Sequence, residues 1–374
     1  MPEPQPTRIA AWHPLTEVCA IAPDPGRPFA LRQHRALSHA DFLAEVCAWQ
    51  QLLATRPDDG VAIYTEDSAE FAAMLFGAWC AGKSVLLPAD ALPATWARVA
   101  PRVGTALGSL PGALARPPAG EPRALPRLDP LHTRLTVFTS GSGGEPVAIP
   151  KSLAQLDAEM HTLQAAFGDR LGVDGQPALV VATVSHQHIY GLLFLVLWSL
   201  AAGRPLMAER LEHLDHLAPL LGGRPACLVA SPAHLARLPQ VHDWPQSLSS
   251  LQAVFSSGGP LSPQGAADAL SGLGHSPIEV FGSSETGGIA WRQRALHGDH
   301  WTPLPGIEWR LDEGLLAVRS SHLPDTDWYL TSDRVSALPE GGFTLQGRAD
   351  RIVKVGEKRV SLSAIERHLL ATPW

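Results

Sequence analysis

Apolar residues at Phe42, Leu43, Val46, Trp49, Leu52 and Leu53 recur three and four positions apart behind Ser38, which predicts a helix with a serine N-cap. Gly60–Thr65 then reads as a short buried strand, Ser68–Ala81 as a helix closed by Gly82, and Ser84–Pro88 as a second strand, giving β-α-β order. From Pro101 to Asp129 the chain is dense in Pro, Gly and Ala without a period, and a surface loop is expected. Alternation resumes with a strand over Leu135–Phe138, a helix over Leu153–Phe167, a strand over Ala178–Val184 and a very apolar helix over Ile189–Ala202. A strand at Ala226–Ala230, a helix at Pro232–Leu238 and a helix at Pro263–Leu273 between strands Leu251–Phe255 and Ile278–Phe281 continue it. Strands alternating with helices predict an α/β fold with largely parallel sheets. After Gly288 the pattern changes to short β-like runs, including Ile307–Leu311, Leu315–Val318 and Phe343–Gln346, so a β-rich unit is expected there.

Composition narrows the function. Of 374 residues, 45% are hydrophobic and 17% charged, which places the chain with folded globular proteins rather than disordered ones. A formal net charge of −7 argues against nucleic acid as the partner, because phosphate backbones are bound by clustered basic residues. The four cysteines, Cys19, Cys47, Cys80 and Cys227, are scattered and suggest neither zinc nor a disulfide framework. The longest apolar run, Tyr190–Gly203, is shorter than the about 20 residues of a membrane span, and the opening Met-Pro-Glu-Pro-Gln-Pro is unlike a signal peptide; no membrane span and a cytoplasmic location are expected.

Two glycine-rich segments invite a phosphate. Gly77–Ser84 matches the G-x-x-x-x-G-K-S pattern of P-loop NTPases, but a helix runs into it and a strand leaves it, the reverse of what aims helix N-terminal amides at phosphate. Gly82 is better read as a helix C-cap. Thr139-Ser140-Gly141-Ser142-Gly143-Gly144 follows a strand directly, and its hydroxyls and bare backbone suit the wrapping of a triphosphate.

Five ordered segments then resemble the adenylate-forming superfamily, the AMP-binding enzymes that include acyl-CoA synthetases, aryl acid ligases, peptide synthetase adenylation domains and luciferases. They are Phe138–Pro146, Ser256–Pro260, Ile278–Gly287, Tyr329–Asp333 and Gly347–Val360. The resemblance implies an N-terminal lobe over 1–346, with α/β subdomains at 1–130 and 131–300 and a β-rich part at 301–346. Residues 347–374 would be the hinge and a stub of the C-terminal lobe. It implies ATP and Mg²⁺ as cofactors and activation of a carboxylic acid to acyl-AMP. CoA or an acyl carrier protein would supply the accepting thiol.

Carried over residue by residue, Thr139 to Gly144 would hold phosphate, and Gly258 and Gly259 would lie beside the adenine. Phe281 would stack on it, next to Gly282 and Ser283, although a core phenylalanine fits that position too. Asp333 and Arg348 would bind ribose or phosphate, Asp350 would act as hinge, and Lys354 follows in the same motif. Glu285, flanked by Ser284, would ligate Mg²⁺, a hard cation that prefers oxygen. His186 would meet the substrate carboxylate, with His188, Tyr190, Gly282 and Gly287 along the acyl pocket.

The match departs at Gly143, where threonine is usual, and at Val147, where lysine is frequent; Lys151 is the expected substitute for that cationic phosphate contact. The family carries roughly a hundred further residues past the hinge, so this chain is expected to bind ATP and acid, adenylate slowly, and not complete thioester transfer. Val353–Leu362 is similar to the acyl-CoA synthetase-like proteins of bacterial aryl polyene clusters, which implies an aryl acid such as a hydroxybenzoate; a fatty acid remains open. The competing reading is a non-catalytic nucleotide- or acyl-binding module.

Overall fold

Capping sets the long helices. Helix α1 (His39–Ala54) starts at Ser38, whose side chain accepts from the Asp41 amide while the Asp41 carboxylate accepts from the Ser38 amide, a reciprocal capping box. Helix α2 (Ser68–Cys80) starts at Asp67, and Gly82 follows it at φ +75°, in the left-handed region expected past a helix end. The G-K-S segment therefore joins a helix to a strand, and the Lys83 ammonium donates to the Arg56 carbonyl. Helix α3 spans Pro93–Val99, and helix α4 (Leu153–Phe167) opens with a second capping box between Ser152 and Gln155.

The structure, a computed structural model, describes residues 12–20, 24–140, 146–172, 175–238, 248–350, 352–355, 358–362 and 365. Its strands are β1 (Pro28–Arg32), β2 (Arg35–Ser38), β3 (Gly60–Tyr64), β4 (Ser84–Leu87), β5 (Thr105–Gly108), β6 (Arg134–Ser140), β7 (Pro146–Ser152), β8 (Leu179–Ala182), β9 (Leu206–Met207) and β10 (Ala226–Ala230). They continue with β11 (Leu251–Ser256), β12 (Ile278–Ser283), β13 (Gly287–Arg292), β14 (Thr302–Pro303), β15 (Glu308–Asp312), β16 (Leu315–Arg319), β17 (Tyr329–Ala337), β18 (Phe343–Arg348), β19 (Ile352–Val355) and β20 (Lys358–Ser361).

Two large sheets result. One has five strands in the order β5-β3-β4-β6-β7, the other nine in the order β14-β13-β12-β11-β10-β8-β9-β1-β2. Their interiors are parallel, as the helix–strand alternation predicts, and antiparallel hairpins lie at the edges. The sheets exchange strands across residue 130: β6 and β7 come after it yet complete the sheet of β3, β4 and β5, while β1 and β2 precede it yet border the strands β8 to β14. Sheet membership thus does not follow the expected division at 130/131. Strand β5 also lies within the stretch read as loop, being four residues at a sheet edge.

A single apolar cluster draws residues from both large sheets and from α1, α2, α4 and the helix Ile189–Ala201, which seals one sheet against the other. Helices α1 and α2 approach closely at Gly77, where a Cβ would stand 2.5 Å from the Trp49 Cβ. Strands β15 to β18 form a four-stranded antiparallel sheet and β19 and β20 a two-stranded one, the β-rich texture expected after Gly288. Among the described residues no helix is long and apolar enough to cross a membrane.

Candidate active site

Parallel strands leave their carboxyl-end backbone groups and the following loops facing one crevice, where α/β folds bind ligands. Here a cavity of about 960 Å³ opens at that edge. Residues at or just past the ends of five strands line it: Asp90 after β4, Thr139 in β6, Ser185 after β8, Ser257 and Gly258 after β11, and Gly282 and Ser283 in β12. The start of the phosphate-loop segment and the Ser-Ser-Glu-Thr segment therefore meet across a single space. Gly141, Ser142, Gly143 and Gly144 lie outside the described residues, as does the side chain of Ser140. The Thr139 hydroxyl is shielded and has no hydrogen-bond partner among the described residues.

The turn that carries Glu285 is built by its neighbours. The Ser283 amide donates to the Thr286 hydroxyl at 3.2 Å, the Thr286 amide donates to the Ser283 hydroxyl at 3.2 Å, and the two hydroxyls sit 3.1 Å apart. Gly282 must be glycine, because a Cβ there would stand 2.2 Å from the Gly287 carbonyl oxygen. Ser284 lines the cavity and Glu285 is half-buried beside it. Among the described residues no group of three His, Cys, Asp or Glu side chains is placed to cage a metal ion.

Lys151 takes a different place from the one expected of a phosphate-binding cation. It is 1% exposed, and its ammonium donates to the carbonyls of Glu285 at 3.0 Å and His322 at 3.2 Å. Gln155 donates to the same His322 carbonyl at 2.9 Å, so the end of β7 and the first turn of α4 together pin the Glu285 turn and the His322 loop. Burial draws the Lys151 pKa below the usual lysine range, opposed by the charges of Glu159 and Glu285.

His186 is also corrected. It is 2% exposed, Ser68 Oγ lies 2.9 Å from its Nδ1 and the Thr65 carbonyl 2.9 Å from its Nε2, and its ring centroid is 4.4 Å from that of Phe71. Burial holds its pKa down to about 4. Both nitrogens are committed to the protein, so His186 ties β3 and α2 to the loop after β8 instead of meeting a substrate. Two residues on, His188 is exposed and lines the cavity, together with Tyr190, whose hydroxyl donates to the Ala230 carbonyl at 3.2 Å. The helix they open contains a π-helical stretch, Leu192–Leu197, wholly buried. Gly191 lets it start hard against the preceding loop, since a Cβ would meet the Ser185 carbonyl oxygen at 2.2 Å.

Strand alternation puts Val280 and Gly282 on the cavity side of β12 and the Phe281 ring on the other, 5.6 Å from the Trp301 ring and 6.3 Å from that of Phe343. Gly258 lines the cavity at φ +89°, with Gly259 next to it. Asp333 and Arg348 face each other across β17 and β18, with 3.4 Å between side chains, and Arg348 also donates to Asp350 at 2.9 Å. The hydrogen bond to Asp350 raises the Arg348 pKa, with help from the charges of Asp333, Asp350 and Glu285, and neither Asp333 nor Arg348 is among the residues that line the cavity.

Among the residues at the site that sequence reasoning missed are Glu159, Gly288 and His322. Glu159 and Gly288 line the cavity, and the carbonyl of His322 receives Lys151.

The family description "AMP-binding enzyme" matches residues 88–315. A 4-coumarate–CoA ligase from Cereibacter sphaeroides is 29% identical over 241 residues, covering 64% of this chain and 54% of that protein. One from Rhodobacter capsulatus is 30% identical over 245 residues, covering 65% and 59%. The chain thus spans between half and two thirds of the length of these relatives. Among solved structures, ATP-bound MatB from Rhodopseudomonas palustris is similar with a TM-score of 0.74 at 19% identity, over 96% of this chain and 83% of that one. Amide bond synthetase McbA from Marinactinospora thermotolerans gives 0.75 at 19% identity, over 96% and 84%. At such identities the likeness speaks for the fold.

Proposed function

The chain belongs to the AMP-binding enzyme family and has the N-terminal-lobe fold of adenylate-forming enzymes; from that premise we propose that it activates a carboxylic acid with ATP, giving acyl-AMP and pyrophosphate. The supporting observation is that Thr139 lines one cavity together with Ser283 and Ser284, the residues that lead into Glu285. Attack of a carboxylate on the α-phosphate brings two anions together, so the reaction needs oriented donors and neutralised charge more than a protein nucleophile. Hydroxyls of Thr139 and Ser284 and the loop after β6 would supply the donors.

Mg²⁺ fits this donor set: it usually takes one or two carboxylates plus substrate phosphates rather than an all-protein cage, and Glu285 is a half-buried carboxylate on a braced turn. Bound there, the ion would offset phosphate charge. The adenine would lie by Gly258, Gly259 and the open side of Phe281, and the ribose against Asp333 and Arg348. His188 and Tyr190 would border the acyl group. The relatives named as 4-coumarate–CoA ligases and the aromatic walls Tyr190 and Phe194 favour an aryl acid. Transfer to CoA or a carrier-protein thiol would follow.

The test is pyrophosphate release with a panel of aryl and fatty acids, on wild type and Glu285→Ala. The expected result is release with aryl acids that falls at least about 100-fold in the variant. ATP binding without release in either protein would favour a binding module; release unaffected by the substitution would remove Glu285 from the reaction.

A further inference from the structure

One wall of the cavity is built by helix α3, the 3-10 turn Ala100–Arg102 that follows it, and the end of β6. Val99 and Phe138 are buried in one apolar cluster, which fixes that turn against the strand. The turn carries Arg102, an exposed side chain that lines the cavity, with its guanidinium carbon 5.6 Å from the centre of the Phe138 ring. Phe138 immediately precedes Thr139, so this cation is held beside the start of the phosphate-loop segment. Among the described residues the Arg102 guanidinium has no ion pair and no hydrogen-bond partner. Asp90, which lines the same cavity, accepts the Leu92 amide at 3.0 Å.

The reaction proposed above brings two anions together and calls for positive charge near phosphate. The lysines whose side chains are described are committed elsewhere: Lys83 donates to the Arg56 carbonyl, and Lys151 to the carbonyls of Glu285 and His322. Val147, where the family frequently has lysine, is exposed and apolar. Among the described residues no lysine lines the cavity, and the arginines that do are Arg98 and Arg102. A guanidinium presents a planar fork of N–H donors that matches phosphate oxygens, and an exposed one can turn to them without abandoning a buried partner.

We propose that Arg102 is a phosphate-binding residue: its guanidinium, held by the Phe138 ring, takes a nucleotide phosphate in the cavity in place of the family's loop lysine. This rests on the acid-activating reading above and adds to it the protein cation that reading lacks. ATP and CoA both carry such phosphates, and the experiment separates them. No bond is made or broken in the contact.

The test is calorimetric titration of the whole chain, with Mg²⁺ present, against α,β-methylene-ATP, AMP and CoA. Wild type is compared with Arg102→Ala, Arg102→Lys and Arg116→Ala. Arg116 pairs with Glu45 and does not line the cavity, so its loss reports net charge alone. The expected result is that Arg102→Ala binds the ATP analogue at least about 10-fold more weakly, the worth of a charge-assisted hydrogen bond, and AMP less than about threefold more weakly. Arg102→Lys, which keeps the charge without the fork, should fall between. A loss of that size confined to CoA supports the phosphate contact and assigns it to CoA. Unchanged binding of ATP analogue and CoA in Arg102→Ala would overturn this proposal and leave acid activation standing. An equal loss for AMP, or the same loss in Arg116→Ala, would also overturn it. Failure of the ATP analogue to bind wild type would overturn both readings.

Discussion

Two buried polar clusters border the cavity, and they differ in what they leave unsatisfied. Around His186, the Ser68 hydroxyl and the Thr65 carbonyl engage both ring nitrogens and Phe71 covers the ring, so nothing is left for a ligand. Beside Glu159, the Lys151 ammonium and Gln155 both donate to the His322 carbonyl, while one buried oxygen of the Glu159 carboxylate has no partner among the described residues. Burial alone therefore does not separate a structural polar residue from a binding one.

The largest expected effect comes from cutting the second cluster at its cation. Lys151→Met takes a donor from the Glu285 and His322 carbonyls and removes the buried cation that the Glu159 charge supports, and should cost about 3–5 kcal/mol of stability, read as a fall in denaturant midpoint. Lys83→Met, which loses one bond to the Arg56 carbonyl, should cost less than about 1 kcal/mol. An unchanged midpoint in Lys151→Met together with weakened ATP binding would return Lys151 to the phosphates.

The first cluster should answer to pH. The His186 pKa is about 4 in the fold against an ordinary 6.5, so between those values the unfolded chain binds the extra proton. Stability is therefore complete above pH 6.5, falls as pH drops toward 4, and loses nothing further from this group below that. The loss is on the order of 3 kcal/mol. Buried His39, also held at about 4, adds in the same direction. Denaturation at pH 7.5 and 4.5 should show a smaller difference for His186→Gln than for wild type; equal differences would break the assignment.

A smaller effect tests the fit between Gly287 and Glu159. Gly287→Ala should cost about 1–3 kcal/mol from its positive φ and the close carboxylate. In a double-mutant cycle with Glu159→Ala, roughly 1 kcal/mol of that cost should disappear as the steric part is relieved. Smallest on stability is His188→Ala, within about 0.5 kcal/mol because the side chain is exposed, although acid affinity should weaken. Intact acid binding in that variant would put the carboxylate contact elsewhere.

The main helices and interior strands were legible because caps and periodicity agreed: Ser38, Gly82 and the apolar rhythm of residues 153–167 mark boundaries the fold keeps. Strand β7 was not, because Pro146 and Pro150 argue against a strand; it is tolerated at a sheet edge, where one side of the backbone needs no ladder bonds. At the site, Thr139, Ser283 and Glu285 could be read from motifs, since their neighbours in sequence shape the same turns. Choosing between His186 and His188 needed the tertiary partners Thr65 and Ser68, far away in the chain. Glu159 escaped for a related reason. Gln155, Glu159 and Thr162 recur four and three apart and look like a solvated helix face, whereas in the fold all three are buried. The available hint was the Gly287–Gly288 pair, whose bare backbone accommodates the carboxylate.

The hairpin of β1 and β2 closes a sheet whose other members are translated much later, from β8 onward. The earliest strands made must wait for β9 before they gain a parallel neighbour, and such distant pairings fold slowly because the intervening chain has to be closed into a loop first. Fragments ending before residue 206 would leave the outer backbone of β1 unpaired, an open edge that invites association with other chains. Expression trials of shortened versions should thus lose solubility abruptly, as the cut passes β9, rather than in proportion to the residues removed.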